Sequence, residues 1–339
     1  MTAVDPLIHA WRFDGYGGGL SMGWNELQCT PPGKIAPFWI YLNRNAEASF
    51  PWVSTCSGMD ASAVRAFLAD ETRPRCTRFQ DGAVLMLRSV NENKGHEFHD
   101  MVALRLWVDA RGILGMRGRR TFFMEEIHHA LEAGQGPKTP TELLVTLLER
   151  MTLRMEPILE NLRGQLEELQ TYLLAEHDAY QMRRKGPLIR QRLGRLRVAA
   201  VAMRRYLSPQ KEAIARLMNE DFSWLGQEFR PRLLEVVNEI TRHMEDLDEI
   251  RDTAGVIQDS VANAINEGLN DLLFKLTMLS AFFMPLSFVV GWFGSNVSGL
   301  FLNVDSAWFP SRDGFVVEGI LLLAIGGVEV LIFKKLKWL

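Results

Sequence analysis

The chain has 339 residues, a formal net charge of −3 at pH 7 and a mean hydropathy near zero. The average conceals an asymmetry, because residues 1–270 are rich in charge and the long apolar segments lie after them. Its three cysteines are odd in number and lack metal-binding spacing, which argues against a disulfide framework and favours a reducing compartment. The N-terminus has no basic start followed by an apolar core, so we expect no signal peptide and a largely cytosolic protein.

Residues 1–138 are predicted to form a cytosolic α/β domain, within an overall α+β fold. Asp60 is expected to cap a short helix, Ala61–Ala69. The three consecutive glycines 17–19 lack the Lys-Ser/Thr of a phosphate loop and are interpreted as a turn. Four stretches have the alternation or the short apolar run of a strand: Leu20–Trp24, Phe38–Leu42, Ala83–Arg88 and Val102–Val108.

Residues 139–228 are predicted to form a cytosolic helical hairpin. Thr139 and Pro140, with Glu142 following, have the pattern of a helix start. This helix should run to about residue 175 with a break near Pro157. The second helix, Ile189–Tyr206, carries six arginines and no acid. A basic run can bind nucleic acid, but we favour pairing with the acidic face of the first helix and expect no nucleic-acid partner.

Residues 229–275 are predicted to form a stalk helix. Pro231 is expected at its start, and no further proline occurs before Pro285. An uninterrupted helix over this interval would be roughly 80 Å long at 1.5 Å per residue. A bilayer core is only about 30 Å thick, so at least roughly 50 Å would project into the cytosol. A charged helix of this length needs partners, which predicts an oligomer.

Residues 276–296 are predicted to form the first transmembrane helix. The stretch 276–304 contains no Asp, Glu, Lys, Arg or His, and about 20 apolar residues are enough to span a bilayer core. Its apolar run ends in Gly294-Ser295-Asn296, which we interpret as the functional motif. Residues 297–313 would then form a short external loop.

Residues 314–339 are predicted to form a second transmembrane helix with a basic cytosolic tail. Glu318 and Glu329 lie near the ends of the apolar run 315–333, where interfacial placement is preferred. Three lysines follow the run, and the positive-inside rule places them in the cytosol. Both termini would therefore be cytosolic, in a multi-pass protein of the inner membrane.

One face of the first span differs from the others. Counting back from Gly291 in steps of three and four residues gives a stripe of small, polar or Met side chains that continues into the stalk. A bundle of such helices would expose this stripe to a central path, although small residues can also serve close packing and Asn can set register. Asn296 lies close to the same line, and its amide oxygen suits a hydrated divalent cation. The stripe comprises Asp259, Asn263, Asn266, Asn270, Leu273, Thr277, Ser280, Met284, Ser287 and Gly291.

The sequence Pro285-Leu286-Ser287-Phe288, followed by Gly291 and by Phe293-Gly294-Ser295-Asn296, resembles the CorA-type metal ion transporters. Those proteins carry Pro-Leu-Thr-Phe before a Gly-Met-Asn motif. Ser295 replaces the usual Met, and this departure resembles the zinc-transporting ZntB branch. Weaker matches are Arg73-Pro74-Arg75 and Leu104-Arg105-Leu106-Trp107.

This resemblance implies a homopentamer in the lipid bilayer, with the first span lining a central pore. It implies pore-facing roles for Leu276, Met284, Ser287 and Gly291, and the apolar Leu276 and Met284 could close the path. Zn²⁺ is the expected transported ion, and no cofactor is expected. The alternatives are a Mg²⁺/Co²⁺/Ni²⁺ channel and, from a different class, a membrane-anchored metal sensor or scaffold.

Two histidine clusters offer candidate cytosolic metal sites. The first comprises His96, His99 and Asp100, and the second is formed by His128 and His129 with Glu125. Imidazole and carboxylate groups are common zinc ligands. We find no nucleophile–base pair and no phosphate loop in the sequence, so an enzyme is not expected.

Overall fold

The computed structural model of the chain describes residues 4–29, 34–93, 95, 100–175, 179–294 and 311–335. The chain divides into two compact units. One comprises Met1–Ala175 with Leu188–Asp259, and the other comprises Glu176–Pro187 with Ser260–Leu339.

The first unit is built on a seven-stranded mixed sheet. Its strand order is β2-β1-β3-β7-β6-β5-β4, and all neighbours are antiparallel except β3 and β7. The strands are β1 (Leu7–Phe13), β2 (Gly19–Ser21), β3 (Phe38–Asn43), β4 (Arg75–Phe79), β5 (Gly82–Ser89), β6 (Val102–Asp109) and β7 (Gly112–Arg117).

Helices cover both faces of this sheet. On one face Ile40 and Met86 pack with Leu27, Val53 and Phe67 from three short helices. On the other, Trp11 donates a hydrogen bond to His128 of the fourth helix. The described helices are α1 (Trp24–Cys29), α2 (Ser49–Cys56), α3 (Ala61–Leu68), α4 (Phe122–Glu132), α5 (Pro140–Leu153), α6 (Glu156–Ala175), α7 (Ala179–Asn219), α8 (Arg230–Gly294) and α9 (Ser311–Lys335).

Three of the four predicted strands are confirmed as β3, β5 and β6, whereas the prediction for Leu20–Trp24 is only half right. The strand β2 ends at Ser21 and α1 begins at Trp24. The reason lies in packing: as a helix this segment buries Leu27 completely and brings the Trp24 ring within 6.0 Å of Trp52.

The predicted helix start at Thr139 and the break near Pro157 are confirmed. The Thr139 side chain accepts a hydrogen bond from the Glu142 backbone, and the Glu142 carboxylate accepts one from the Lys138 backbone. These contacts satisfy backbone donors that a helix N-terminus leaves free. The helix α5 ends at Leu153 and α6 begins at Glu156.

The predicted pairing of a basic helix with an acidic one is confirmed in part. Arg192 of α7 forms an ion pair with Glu168 of α6 at 2.8 Å. Arg204 instead pairs with Asp248 of α8 at 2.7 Å. The basic surface of α7 is therefore shared between two acidic neighbours.

The second unit contains the start of α7, the C-terminal part of α8 and all of α9. Gly186 of α7 allows close approach to α8, since a Cβ there would lie 2.7 Å from Ile265 Cδ1. The helix α8 continues through Pro285 without interruption, as predicted. By length and composition, the described residues contain one helix that could cross a membrane, Gln227–Gly291.

Candidate functional site

The polar stripe lies on α8, on surface that the chain does not cover. The chosen spacing follows one face of a helix, because three or four residues make about one turn. Met284 exposes 71% of its surface and Leu276, beside the stripe, exposes 55%. The other predicted pore-lining residues are also exposed: Asn263, Asn266, Asn270, Leu273, Thr277, Ser280, Ser287 and Gly291.

Small residues on α8 and α9 leave open space rather than tight contacts. A Cβ added to Gly291, Gly326 or Gly327 would meet no atom within 4 Å. An open, mostly apolar groove of about 980 Å³ runs between the two helices, and Ser287 and Gly291 are among its lining residues. Packing among the described residues therefore does not explain why Gly occupies position 291.

The predicted motif is described only at its first residue. Gly294 is the last residue of α8, and Ser295 and Asn296 lie outside the described residues. The same holds for His96 and His99 of the first histidine cluster. Asp100, the remaining member, is exposed and lines a cavity together with several arginines. The roles of all six residues stay predictions.

The second histidine cluster is assembled with a different carboxylate from the one predicted. Glu125 pairs with Arg120 through a 2.6 Å hydrogen bond and with Arg117 at 3.6 Å. Glu132, one turn beyond His128 on α4, lies 2.9 Å from His129 Nδ1 and 3.5 Å from His128 Nε2. Ligand atoms of these three residues all lie within 4.8 Å of one another.

Contacts behind this cluster set the protonation of His128. The Trp11 indole N–H donates to His128 Nδ1 at 3.0 Å. Indole nitrogen can only donate, so Nδ1 carries no proton and neutral His128 carries its proton on Nε2, toward Glu132. A metal ion at Nε2 would have to displace that proton to Nδ1 and break the Trp11 bond. Trp11 and His128 therefore form a hydrogen-bonded pair, and the three residues do not have the geometry of a formed metal site.

Burial keeps the two stacked histidines neutral. His9 stacks on His128 with ring centroids 3.8 Å apart, and His9 Nε2 is buried without a hydrogen-bond partner in the described chain. Burial, and then the charges of His128 and Arg117, lower the pKa of His9 to about 4. Burial also lowers the pKa of His128, against the opposing effect of Glu132.

The model of the family described as CorA-like Mg²⁺ transporter proteins matches residues 36–335 of the chain. The chain belongs to this CorA-like family. The predicted resemblance is confirmed at this level.

Two of the relatives match this CorA-like chain over nearly its full length. The divalent cation transporter CmaX of Pseudomonas aeruginosa is 30% identical over 337 residues, covering 98% of this chain and 97% of the relative. The zinc transport protein ZntB of Cronobacter sakazakii is 29% identical over 339 residues, covering 99% and 97%.

Solved structures agree with this assignment. The full-length CmaX protein superposes on the CorA-like chain with a TM-score of 0.79, at 28% identity and with 100% of both chains covered. The CorA magnesium transporter from Methanocaldococcus jannaschii gives a TM-score of 0.77 at 17% identity over 99% of both, a likeness that shows the fold alone. The predicted α/β domain followed by a long helix is thereby confirmed.

Sequence reasoning missed one polar site in this CorA-like chain. A cavity of about 460 Å³ in the first unit is lined by four arginines, including the buried Arg105 of β6. The available signal was the sequence Leu104-Arg105-Leu106-Trp107, in which a charge interrupts an apolar strand. A charged residue at such a position is almost never buried without a partner, so this pattern indicates a polar site next to β6.

Proposed function

We propose that the protein transports divalent metal cations across the inner membrane, with Zn²⁺ as the first candidate substrate. The observation that carries the proposal is the stripe on α8. From Thr277 to Gly291 its side chains are small, polar or Met and uncharged, and they lie exposed along one face of a helix that is long and apolar enough to cross a membrane. Membership of the CorA-like family supports the same function.

In this proposal five copies surround a central path, and α8 from each copy presents its stripe to that path. Each chain crosses the membrane twice, through the end of α8 and through α9, with both termini in the cytosol. The exposed stripe supports assembly, because Gly291 has open space around it in the single chain. Gly294-Ser295-Asn296 would form the outer mouth, where Asn amide oxygens accept hydrogen bonds from the water shell of the ion.

Leu276 and Met284 would form the closed gate of this path. Both are apolar and exposed on α8. A ring of apolar side chains can stop ions by expelling water from a narrow pore. Leu276→Ser and Met284→Ser should therefore raise basal ion flux, and unchanged flux in both variants would remove these residues as gates.

The test is metal flux into proteoliposomes that contain the full-length protein, with Zn²⁺ and Mg²⁺ compared and with a pH gradient imposed or absent. Asn296→Ala should reduce flux. Ser280→Phe should block it, because Ser280 lies on the stripe. Leu279→Phe is the matched control: it places the same ring one residue away, about 100° around the helix, and should leave flux close to wild type.

Each outcome bears on a different part of the proposal. Mg²⁺ flux without Zn²⁺ flux would favour the alternative of a Mg²⁺/Co²⁺/Ni²⁺ channel. The family is described as one of Mg²⁺ transporters, which also supports this alternative. Absence of flux for every ion would favour a membrane-anchored sensor or scaffold. A mass other than that of a pentamer, measured by native mass spectrometry, would contradict the proposed assembly.

A further inference from the structure

The arginine cavity of the first unit carries more positive charge than its carboxylates balance. Its charged lining consists of four arginines and two aspartates, which gives two net positive charges. Asp70 pairs with Arg44 at 2.6 Å, but its side chain is 98% exposed to solvent. The lining includes Arg44, Asp70, Arg88, Asp100, Arg105 and Arg119.

Arg105 is the most deeply placed of these cations. It exposes only 2% of its surface. A guanidinium has five N–H donors, and in the described chain that of Arg105 makes one hydrogen bond, from Nη2 to the carbonyl oxygen of Ala69 at 3.0 Å. Its Nε is buried without a partner. No carboxylate of the described residues forms an ion pair with it.

Neighbouring arginines add to this imbalance. Arg44 Nε is also buried without a partner in the part of the chain that the structure describes. Burial, and then repulsion from Arg44 and Arg88, lower the pKa of Arg105 to about 10. An unpaired buried cation is costly, so these side chains form an arrangement that a bound anion would stabilise.

The sheet holds the two central arginines in fixed positions. Arg88 stands opposite Ala103 in the β5–β6 register and Arg105 opposite Met86, so both project from the same face of the sheet. Arg88 donates to the carbonyl oxygens of Thr72 (3.1 Å) and Met101 (2.7 Å) and stacks 5.0 Å from the Tyr206 ring. Among the described residues Arg105 has only the Ala69 carbonyl oxygen as an acceptor, so of the two central arginines it is the one with less hydrogen-bond compensation.

We propose that this cavity is a binding site for a small, water-soluble phosphate anion, in which Arg105 is the principal ligand and Arg44 and Arg119 complete the charge. Planar guanidinium groups recognise phosphate through paired hydrogen bonds. The volume of about 460 Å³ lies in the range of small-molecule pockets. Inorganic phosphate and phosphate monoesters both present the oxygen atoms that guanidinium groups bind. The site is independent of the proposed transport function, because it uses residues of the first unit only.

The test measures thermal unfolding of the full-length protein in detergent, with inorganic phosphate or AMP added at constant ionic strength against chloride. A ligand that binds only the folded state stabilises it by RT ln(1 + [L]/Kd), so the unfolding midpoint keeps rising with the logarithm of the ligand concentration above Kd. Phosphate should raise the wild-type midpoint in this concentration-dependent way. Arg105→Met should weaken phosphate binding by about tenfold or more, without lowering the midpoint in chloride, because it removes an unpaired buried charge.

Arg119→Gln is a second variant that keeps the test decisive if Arg105→Met does not fold. Arg119 is exposed and has no ion pair among the described residues, so its replacement should spare the fold and still weaken phosphate binding. Arg12→Met, at an exposed position of β1 away from the cavity, should bind phosphate like wild type. Equal phosphate shifts in wild type and in both cavity variants, or equal shifts with chloride, would overturn the proposal. A larger shift with AMP than with phosphate would identify the ligand as a monoester.

Discussion

In the sheet-bearing unit Trp39, Phe67 and Phe123 are fully buried, whereas in the second unit Met284 and Leu323 expose 71% and 80% of their surfaces. The first unit therefore completes its apolar core with its own side chains. The second unit cannot, because its few helical segments enclose too little volume to bury their apolar residues. Exposed apolar surface on this scale marks an interface with lipid or protein. One chain thus combines a core stabilised by water exclusion with helices that depend on their surroundings.

The strongest test of this contrast is removal of one aromatic ring from each unit. Phe67→Ala should destabilise the first unit by about 3–5 kcal/mol, because it leaves a cavity in a filled core. Phe283→Ala, which removes the same ring from an exposed position of α8, should change the stability of that unit by less than about 0.5 kcal/mol. Circular dichroism melts of both variants in detergent measure the difference. Equal destabilisation would contradict the contrast.

An aspartate introduced on an exposed surface of each unit distinguishes a surface that faces lipid from one that faces water. Leu323→Asp, near the centre of the second apolar run, should disfavour membrane insertion by about 2.5–3.5 kcal/mol. Val198→Asp, at an exposed position of α7, should change stability by no more than about 0.5 kcal/mol. The measurement is the fraction of protein that resists alkaline extraction from membranes. If the two variants partitioned alike, α9 would not face lipid at Leu323.

Acid should lower the free energy of unfolding of the first unit. The pKa of His9 is lowered to about 4, from a usual value of 6.5. Between these values the unfolded chain binds the proton and the folded chain does not, so stability rises with pH and falls as pH drops. A single group contributes up to about 1.4 kcal/mol per pH unit. His9→Phe keeps a ring beside His128, Arg117, Glu125 and Glu132 but removes the titration.

The expected result is a flatter dependence of the unfolding midpoint on pH for His9→Phe between about 4 and 6.5. His129→Gln, at an exposed position of the same cluster, is the control and should keep the wild-type slope. An unchanged slope in His9→Phe would mean that another group governs acid sensitivity, and the buried His243, whose pKa burial also lowers, is the next to replace.

The smallest expected effect concerns the cap of α5. Thr139→Ala should cost about 1 kcal/mol, because it removes the acceptor for the Glu142 backbone N–H. Thr139→Ser retains the hydroxyl and should remain close to wild type. Chemical unfolding of both variants measures the difference. A Ser variant as weak as the Ala variant would assign the role of Thr139 to its methyl group.

The sequence was sufficient to predict those helix boundaries that are set by one capping residue or one proline. Thr139 and Pro140 marked a start, and Pro157 marked a break, because capping and proline geometry act within one turn. The prediction failed at the end of α7. The predicted helix ended at Tyr206, but α7 continues to Asn219, since Leu207, Ile214 and Leu217 are buried there. Gln210 of the same extension accepts a hydrogen bond from the Arg88 backbone of β5.

The candidate sites divide in the same way. The stripe on α8 was predictable, because periodicity alone defines a helix face. The arginine cavity was not, since Arg88 and Arg105 lie on different strands and Arg44 follows the end of a third, and the three meet only in the folded sheet. Glu132 replaced Glu125 beside the histidines because Arg120 and Arg117 compete for Glu125. That competition depends on tertiary positions, which the sequence does not reveal.

Pro285 gives α8 a mechanical weak point. Proline has no backbone N–H, so the carbonyl oxygen of Ala281 lacks its usual donor four residues on. Bending at this step breaks one hydrogen bond fewer than bending elsewhere in the helix. Met284 lies on the near side of the step and Ser287 and Gly291 lie beyond it. A small rotation there would move the C-terminal part of the stripe while the long N-terminal part of α8 stayed rigid.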